Sequence, residues 1–314
     1  HVLFAYLHFD ENIKPANITR IVDRGLTAIA YEWVQADSHL PLLEPMSELT
    51  GAVFARKAMA LLMECKGHLG GSYMPHWPAA SAMVIGAGHI GANAINVLIQ
   101  NKLKVMIVDK NPNTLISRLS KYIPSASLGA ADMEAIYFDE DDPAGSCSRI
   151  RQRLGQCDIV ICSAVRRKTL PKEICPYLIT SGELSLMSAN SIMCDATACD
   201  KDLIESCVSS ESLTYTYTEH NVIHYNCDHI PALVPHSSTR ILTEATFPYV
   251  EMLAGGLREA LSKNAPLAGA VMCHRGFLTH EYSAVKKGMD HVSLCDLMPA
   301  AAVRQPELQG AAHV

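Results

Sequence analysis

One stretch, residues 82–109 (AMVIGAGHIGANAINVLIQNKLKVMIVD), constrains the fold of this chain more than any other. An apolar run of strand length (82–85) meets Gly86-Ala87-Gly88-His89-Ile90-Gly91, continues as a helix-like segment, and ends in a second apolar run (105–108) closed by Asp109. Strand, G-x-G-x-x-G turn, helix and second strand together supply the context in which the motif carries meaning. The first glycine permits the tight turn, the second lets the backbone approach a pyrophosphate, and the third brings helix close to strand. Helix N-terminal amides then face the phosphates. Asp109 lies 18 residues past Gly91, where a carboxylate accepts both hydroxyls of an adenosine ribose and repels a 2′-phosphate. The pattern therefore predicts a dinucleotide site for NAD rather than NADP, with Gly86, Gly88, His89, Ile90, Gly91 and Asp109 as its contacts. The alternative is a glycine-rich connection in an α/β protein that holds no ligand.

The chain has 314 residues, enough for two domains and a large core. Its 49% hydrophobic and 18% charged content suits a soluble globular protein and excludes the disordered class. The net charge is −6, and no basic stripe interleaved with aromatics occurs, so neither nucleic acid nor an anionic membrane is expected as a partner. The longest weakly charged stretch, 81–100, is broken by the glycine turn, His89 and asparagines, and reads as strand plus helix rather than a membrane span. Eleven cysteines without paired short spacing point to reduced thiols and a cytoplasmic setting. The run His224-Tyr225-Asn226-Cys227-Asp228-His229 matches no standard zinc spacing, so no metal is expected. The chain begins in a strand-like run with neither initiator Met nor signal peptide, which reads as a chain that something once preceded.

In chain order, the apolar run 2–9 suggests a buried strand with His8 at its carboxyl end, 13–24 a helix stopped by Gly25, and 26–31 a second buried strand ending at Glu32. Such a unit implies a parallel α/β layer separate from the one at Gly86, and ligands collect at the carboxyl ends of such strands. A proline-punctuated crossing (40–51) leads into a helix over 48–64, for which Ser47 is a candidate N-cap. Beyond Asp109 the pattern predicts helix (113–122), strand (134–138), a solvated acidic loop (139–142), helix (148–154) and a buried strand (158–165) meeting the basic turn Arg166-Arg167-Lys168. Further runs (184–187, 191–199, 215–217, 222–225) continue the sheet, a proline pair breaks the pattern at 231–235, and a long helical region from Ser238 leads to a tail expected to be disordered.

The passages LFAYLHFDEN (3–12), LTAIAYEWVQ (26–35), LPLLEPMSELTG (40–51), VIGAGHIGANA (84–94), VIHY (222–225), PALVPHSSTRILTEATFPYV (231–250) and GFLTHEYSAV (276–285) carry a resemblance to the alanine dehydrogenase family, which includes the NAD-binding part of proton-translocating transhydrogenase. The LPLLEPMSE stretch looks like the dehydrogenase form. The resemblance implies two Rossmann-like domains with parallel sheets facing each other across a cleft. The NAD-binding domain (43–235) is inserted into a substrate domain (1–42 with 236–314), and a homo-oligomer is expected. It also implies that the family's opening segment, with an Arg and a Lys that hold the substrate, is missing here, so that a partner polypeptide could supply it.

The resemblance further implies that His8 is the catalytic and substrate-contacting histidine, and that Ser47, Ala164, Val165 and Ile230 line the dinucleotide. Glu32, at the end of the second strand, is a substrate candidate. The family's catalytic aspartate follows a pattern like V-D-[LIV]-A-[LIV]-D, whereas this chain reads Cys194-Asp195-Ala196-Thr197-Ala198-Cys199-Asp200. An ungapped reading puts Cys199 at that place, against the nicotinamide, and leaves Asp200, one residue later, as the catalytic candidate or as a helix cap before 201–206. Asp228-His229-Ile230-Pro231 replaces the family's A-N-M-P and looks more like opine-type dehydrogenases, with His229 either a substrate contact or a loop residue. Thr114 stands where the family often has a basic residue. Three functions are thereby expected in competition. They are an NAD-dependent amino-acid dehydrogenase acting on a small 2-oxo acid such as pyruvate, an opine- or saccharopine-type reductase, and a non-catalytic NAD-binding subunit or fragment.

Overall fold

The glycine turn joins a buried parallel strand to the helix that the motif demands. The computed structural model describes residues 1–10, 13–74, 76–197 and 199–299. In chain order the elements are β1 (Val2–Ala5), α1 (Pro15–Asp23), β2 (Thr27–Ala30), α2 (Glu44–Lys66), β3 (Ser81–Ile85), α3 (His89–Gln100), β4 (Lys104–Asp109) and α4 (Pro112–Leu119). Then come α5 (Ser125–Ala130), β5 (Met133–Tyr137), α6 (Pro143–Leu154), β6 (Ile159–Cys162), β7 (Ile192–Asp195), β8 (Tyr217–Glu219) and β9 (Val222–Tyr225). The remainder holds α7 (Pro235–Gly255), α8 (Leu257–Lys263), α9 (Ala265–Gly269), β10 (Val271–His274), β11 (Phe277–Leu278), α10 (Glu281–Lys287) and α11 (Leu294–Leu297). The described residues form two compact units, 1–46 with 239–299, and 47–238.

The larger unit is built on a seven-stranded sheet in the order β5-β4-β3-β6-β7-β9-β8. All neighbours run parallel except β8, which pairs antiparallel with β9. Strand residues alternate between faces, and here both faces are apolar. Ala82, Val84, Val105, Ile107, Ile159, Ile161, Ile192 and Cys194 enter one core together with α2 and α3. Met83, Ile85, Met106, Val108, Val160, Cys162 and Met193 enter a second, with Ile150 and Leu154 of α6. Continuous apolar runs, rather than alternating ones, are what a parallel sheet covered on both sides requires. Strand order turns outward in both directions from β3 and β6, which opens a crevice at their carboxyl ends. Two glycines set the layer spacing. A Cβ on Gly51 of α2 would lie 1.9 Å from the Ile90 carbonyl oxygen, and one on Gly91 of α3 would lie 1.9 Å from that of Gly86.

The smaller unit carries a four-stranded sheet, β1-β2-β10-β11. β1 and β2 are parallel, and β10 pairs antiparallel with both β2 and β11. Ile29, Val34, Leu42, Leu261, Leu267 and Val271 fill one core, and Phe9, Ile18, Ala28, Met272 and Leu278 the other.

Several local expectations are corrected. The first strand ends at Ala5 rather than reaching residue 9 because Glu32 takes the amides of Leu7 and His8. Ser47 is not an N-cap: α2 begins at Glu44, and Ser47 is buried inside it. α6 starts at Pro143, five residues before the helix expected there, because Asp142 caps it by accepting from the Gly145 amide at 3.0 Å. The strand before the basic turn stops at Cys162, where Ser163 Oγ donates to the carbonyls of Ile85 and Gly86. No helix forms over 201–206, so Asp200 caps none. The tail at 310–314, together with Glu11, Asn12 and Ala198 of the motifs above, lies outside the described residues.

Candidate functional site

Within the larger unit a cavity of about 490 Å³ opens at the carboxyl ends of β3, β4 and β6. Its walls include Gly86, Ala87, Gly88 and His89 of the glycine turn, Asp109 to Asn111 after β4, Arg118 of α4, and Ser163 to Arg167 after β6. Of the expected coenzyme residues it gathers Gly86, Gly88, His89, Asp109, Ala164 and Val165. Ser47, Ile90, Gly91, Cys199 and Ile230 are not on its wall. Ile90 and Ile230 are buried, and Cys199 is exposed. Gly91 acts on the cavity through Gly86, because its missing side chain lets α3 touch the turn.

The turn's own geometry suits a phosphate-bearing ligand. Gly86 has φ +89°, and a Cβ there would come within 3.0 Å of Ala164, so glycine is required on both counts. A Cβ on Gly88 would meet nothing within 4 Å, which leaves that backbone open to a ligand. His89 begins α3, and its Nδ1 lies 2.8 Å from the Tyr122 hydroxyl.

Asp109 is buried, and its carboxylate is already engaged by the chain. Oδ1 accepts from Arg118 Nη2 at 2.6 Å and from the Asn111 amide at 2.7 Å, while Oδ2 accepts from the Ala87 amide at 3.3 Å. Arg118 also donates to the carbonyls of Ala87 and Asn111. Its Nε is buried with no partner among the described residues. Sequence reasoning missed Arg118, because a basic residue in the last turn of a helix reads as dipole compensation. Lys110 and Lys121 line the same wall. At the far side Arg166 is locked to Asp202 at 2.8 Å and donates to the carbonyls of Leu170 and Cys175.

In the smaller unit His8 is exposed and has φ +50°, a left-handed conformation that is uncommon for a residue with a side chain. Glu32 holds it there. The buried carboxylate accepts the His8 amide at 2.6 Å and the Leu7 amide at 3.1 and 3.2 Å. Burial raises the Glu32 carboxyl, and these amides together with the His8 charge pull it back toward the ionised form. The Tyr6 ring stacks on His8 with centroids 5.9 Å apart, and its hydroxyl donates to the Leu42 carbonyl at 2.6 Å. Glu32 thus fixes the backbone that presents the imidazole.

Asp200 is exposed, with Oδ1 accepting from the Ser209 amide and hydroxyl, each at 2.7 Å. Asp228 also bonds Ser209, and its carboxyl is raised by burial and by neighbouring Asp200, with Oδ1 unpartnered among the described residues. The structure therefore brings Asp200 and the Asp228-His229 stretch to one loop cluster, which the cavity wall does not include. His224 is buried, stacked on Tyr217 and bonded to Ser206 Oγ at 2.8 Å, while Cys227 belongs to the hydrophobic core. Asp195, not anticipated, ends β7 almost fully buried. Oδ1 accepts from the Thr197 amide and hydroxyl, Oδ2 has no partner among the described residues, and desolvation pushes its carboxyl up to about 6. No helix among the described residues is long and apolar enough to cross a membrane.

Comparison with known proteins gives this geometry a lineage. Residues 52–281 match the family described as alanine dehydrogenase/PNT, C-terminal domain. The alanine dehydrogenase of Staphylococcus haemolyticus (strain JCSC1435) is 29% identical over 306 residues, 95% of this chain and 76% of that protein. Alanine dehydrogenase 2 of Staphylococcus aureus (strain USA300) is 30% identical over 301 residues, 93% of this chain and 75% of that protein. Among solved structures, an L-alanine dehydrogenase superposes with a TM-score of 0.74 at 26% identity, covering 91% of this chain and 74% of that one. The transhydrogenase from Sinorhizobium meliloti, with a TM-score of 0.65 at 20% identity over 89% of this chain and 73% of that one, shares the fold. Similarity that runs through the glycine turn and nearly the whole chain makes this protein a member of the alanine dehydrogenase/PNT family of nicotinamide-linked oxidoreductases.

Proposed function

We propose that this chain is an NAD-dependent amino-acid dehydrogenase of the alanine dehydrogenase type. The reaction joins a small 2-oxo acid such as pyruvate, ammonium, NADH and a proton, and yields the amino acid, NAD⁺ and water. The observation that carries the reading is the cavity built from the glycine turn, Asp109 and Ala164-Val165 in a chain of this family. The larger unit serves as the coenzyme domain and the smaller one as the substrate domain.

The Gly86 turn and the first amides of α3 hold the pyrophosphate. A bound nicotinamide supplies the hydride in reductive amination and takes it back in the reverse direction. Proton traffic belongs to the protein, and histidine, ordinarily titrating near 6.5, suits it at neutral pH. His8 is the acid that protonates the substrate's carbonyl oxygen as ammonia adds and water departs, and the base in the reverse direction. Its exposure and its amide's anchorage to Glu32 support that role. Glu32 is a positioning residue. Asp200 is the partner proposed to orient water beside the cationic iminium.

The test is NADH oxidation by the purified chain with pyruvate, glyoxylate or 2-oxobutyrate plus ammonium. Turnover that requires ammonium supports the reading. Oxidation only when lysine or ornithine replaces ammonium would transfer it to the opine-type chemistry prompted by Asp228-His229-Ile230-Pro231. NADH binding without turnover on any of these mixtures would mark a non-catalytic subunit.

A further inference from the structure

We propose that the Asp109–Arg118 pair makes the adenosine end of the cavity a receptor for a 2′-phosphate, so that the chain takes NADPH as well as NADH. This rests on the dinucleotide reading above and extends it to the chemistry of the coenzyme. A carboxylate at the end of the second strand selects NAD by two effects: it offers lone pairs to the ribose hydroxyls, and its charge repels a phosphate. Both are blunted here. The oxygens of Asp109 already accept from Arg118, from the Asn111 amide and from the Ala87 amide. Its charge faces a guanidinium at 2.6 Å, and the carboxylate side chain is only 7% exposed, so water screens this pairing little.

Arg118 has capacity left over. Three of its four Nη hydrogens go to Asp109, Ala87 and Asn111, which leaves one on Nη1, and Nε is a buried donor with no partner among the described residues. The Nε atom is covered, so a ligand meets this guanidinium through the exposed part of the side chain, 34% of it, on the cavity wall. A 2′-phosphate brings nearly two negative charges and three strong acceptor oxygens. Lys110, Lys121 and Thr114 also line the cavity that Asp109 and Arg118 line. Glu140, the other carboxylate on the cavity wall, lies 3.8 Å from Arg167. Arginine is the side chain best matched to phosphate geometry, and charge-assisted bonds of this kind are about twice as strong as neutral ones.

The experiment titrates NADH and NADPH into the intact chain by coenzyme fluorescence, for the native protein, Arg118→Met and Arg118→Lys. The native protein is expected to bind the two nucleotides within about tenfold of each other, and Arg118→Met to shift the ratio against NADPH by about tenfold or more, because a phosphate partner is lost and the Asp109 charge is uncovered. Arg118→Lys, which keeps the charge but not the planar fork, is expected to fall between. Competition by adenosine 2′,5′-bisphosphate, strong in the native protein and weakened in Arg118→Met, locates the effect at the ribose. NADH binding with NADPH at least about a hundredfold weaker in the native protein overturns this proposal and leaves the NAD reading intact. An unchanged ratio in Arg118→Met overturns it likewise. Binding of neither nucleotide removes the dinucleotide reading as well.

Discussion

In the larger unit the central strands β3, β4, β6 and β7 bury apolar side chains on both faces, with helices packed at Gly51 and Gly91. In the smaller unit strands and turns bury Thr27, Glu32, His274 and His280, and each uses a specific partner or leaves an atom unsatisfied. Thr27 Oγ1 meets His274 Nδ1 at 2.7 Å across 247 residues of sequence, and Glu32 ties down the amides of Leu7 and His8. Polar pairs join distant segments in the larger unit too, as where Ser163 Oγ reaches the Ile85 carbonyl across 78 residues, so what sets that unit apart is the close backbone approach at Gly51 and Gly91. A single added methyl should therefore be most costly where a glycine of the larger unit touches backbone, at Gly51 and Gly91, and cheaper at Gly25 of the smaller unit, where nothing lies within 4 Å.

The largest effect expected comes from the smaller unit's exposed imidazole. His8→Gln removes the proposed acid and base, and kcat should drop by about 10²–10⁴. NADH affinity should stay within about twofold, since the turn proposed to bind it belongs to the other unit. Stopped-flow turnover beside NADH titration reads both. A variant whose kcat survives intact removes His8 from the chemistry.

Next is Gly91→Ala. Its Cβ would sit 1.9 Å from the Gly86 carbonyl oxygen and 2.6 Å from Ser163 Oγ, and backbone cannot yield as a side chain end can. We expect about 3 kcal/mol or more of lost stability in urea unfolding. The matching change in the smaller unit is Gly25→Ala, where nothing lies within 4 Å but φ is +64°, and strain alone should cost about 1 kcal/mol. Equal losses at the two sites would erase the distinction between a close backbone approach and backbone strain alone.

What the amino-acid order made legible was what is local in the chain. The apolar runs at 82–85 and 105–108 and the glycines between them are local signals, and the strand–turn–helix they predict is present. β10 and β11 were not anticipated, because Val271–His274 becomes a strand only by pairing with β2, far away in the chain. Ser47 looked like a cap because helix starts are read from short polar residues, whereas Glu44 opens this one by bonding back to the Leu40 amide. Arg118 and Asp195 were missed for a shared reason. A charge on a helix and a carboxylate after a strand show their roles only through burial and missing partners, which no spacing rule encodes.

Two buried titratable groups sharpen the comparison further, because they oppose each other in acid. Asp195 in the larger unit is pushed from 3.8 up to about 6 by desolvation. Between those values the folded state binds the extra proton, so that group's contribution falls as pH rises and is least favourable above 6. His280 in the smaller unit is lowered from 6.5 to about 4 by burial. There the unfolded chain binds the extra proton, so stability falls as pH drops from 6.5 toward 4. Each contribution amounts to at most about 3 kcal/mol. Asp195→Asn should therefore gain on the native protein as pH rises from 4 to 6. His280→Asn, which keeps an acceptor for the Ser283 amide, should gain as pH falls from 6.5. Trp33, whose ring centroid lies 4.3 Å from that of His280, reports unfolding of the smaller unit once Trp77 is replaced by Phe. Parallel pH profiles for the two variants would contradict the assignment.

The smallest effect separates fold from ligand inside the larger unit. Gly88 has φ −78° and ψ −161°, extended backbone that alanine adopts without strain, and its Cβ would touch nothing within 4 Å. Gly88→Ala should then melt within about 1 °C of the native protein, since surface changes away from packed atoms move stability by only a few tenths of a kcal/mol. The methyl would nonetheless stand on the cavity wall where a pyrophosphate must come against bare backbone. A displaced phosphate loses hydrogen bonds from the α3 amides, and NADH affinity should fall about tenfold, or roughly 1.4 kcal/mol. Gly91→Ala damages the fold and the site together, whereas Gly88→Ala should damage the site alone. If Gly88→Ala bound NADH as tightly as the native chain, the open backbone at residue 88 would not be where the ligand's phosphates lie.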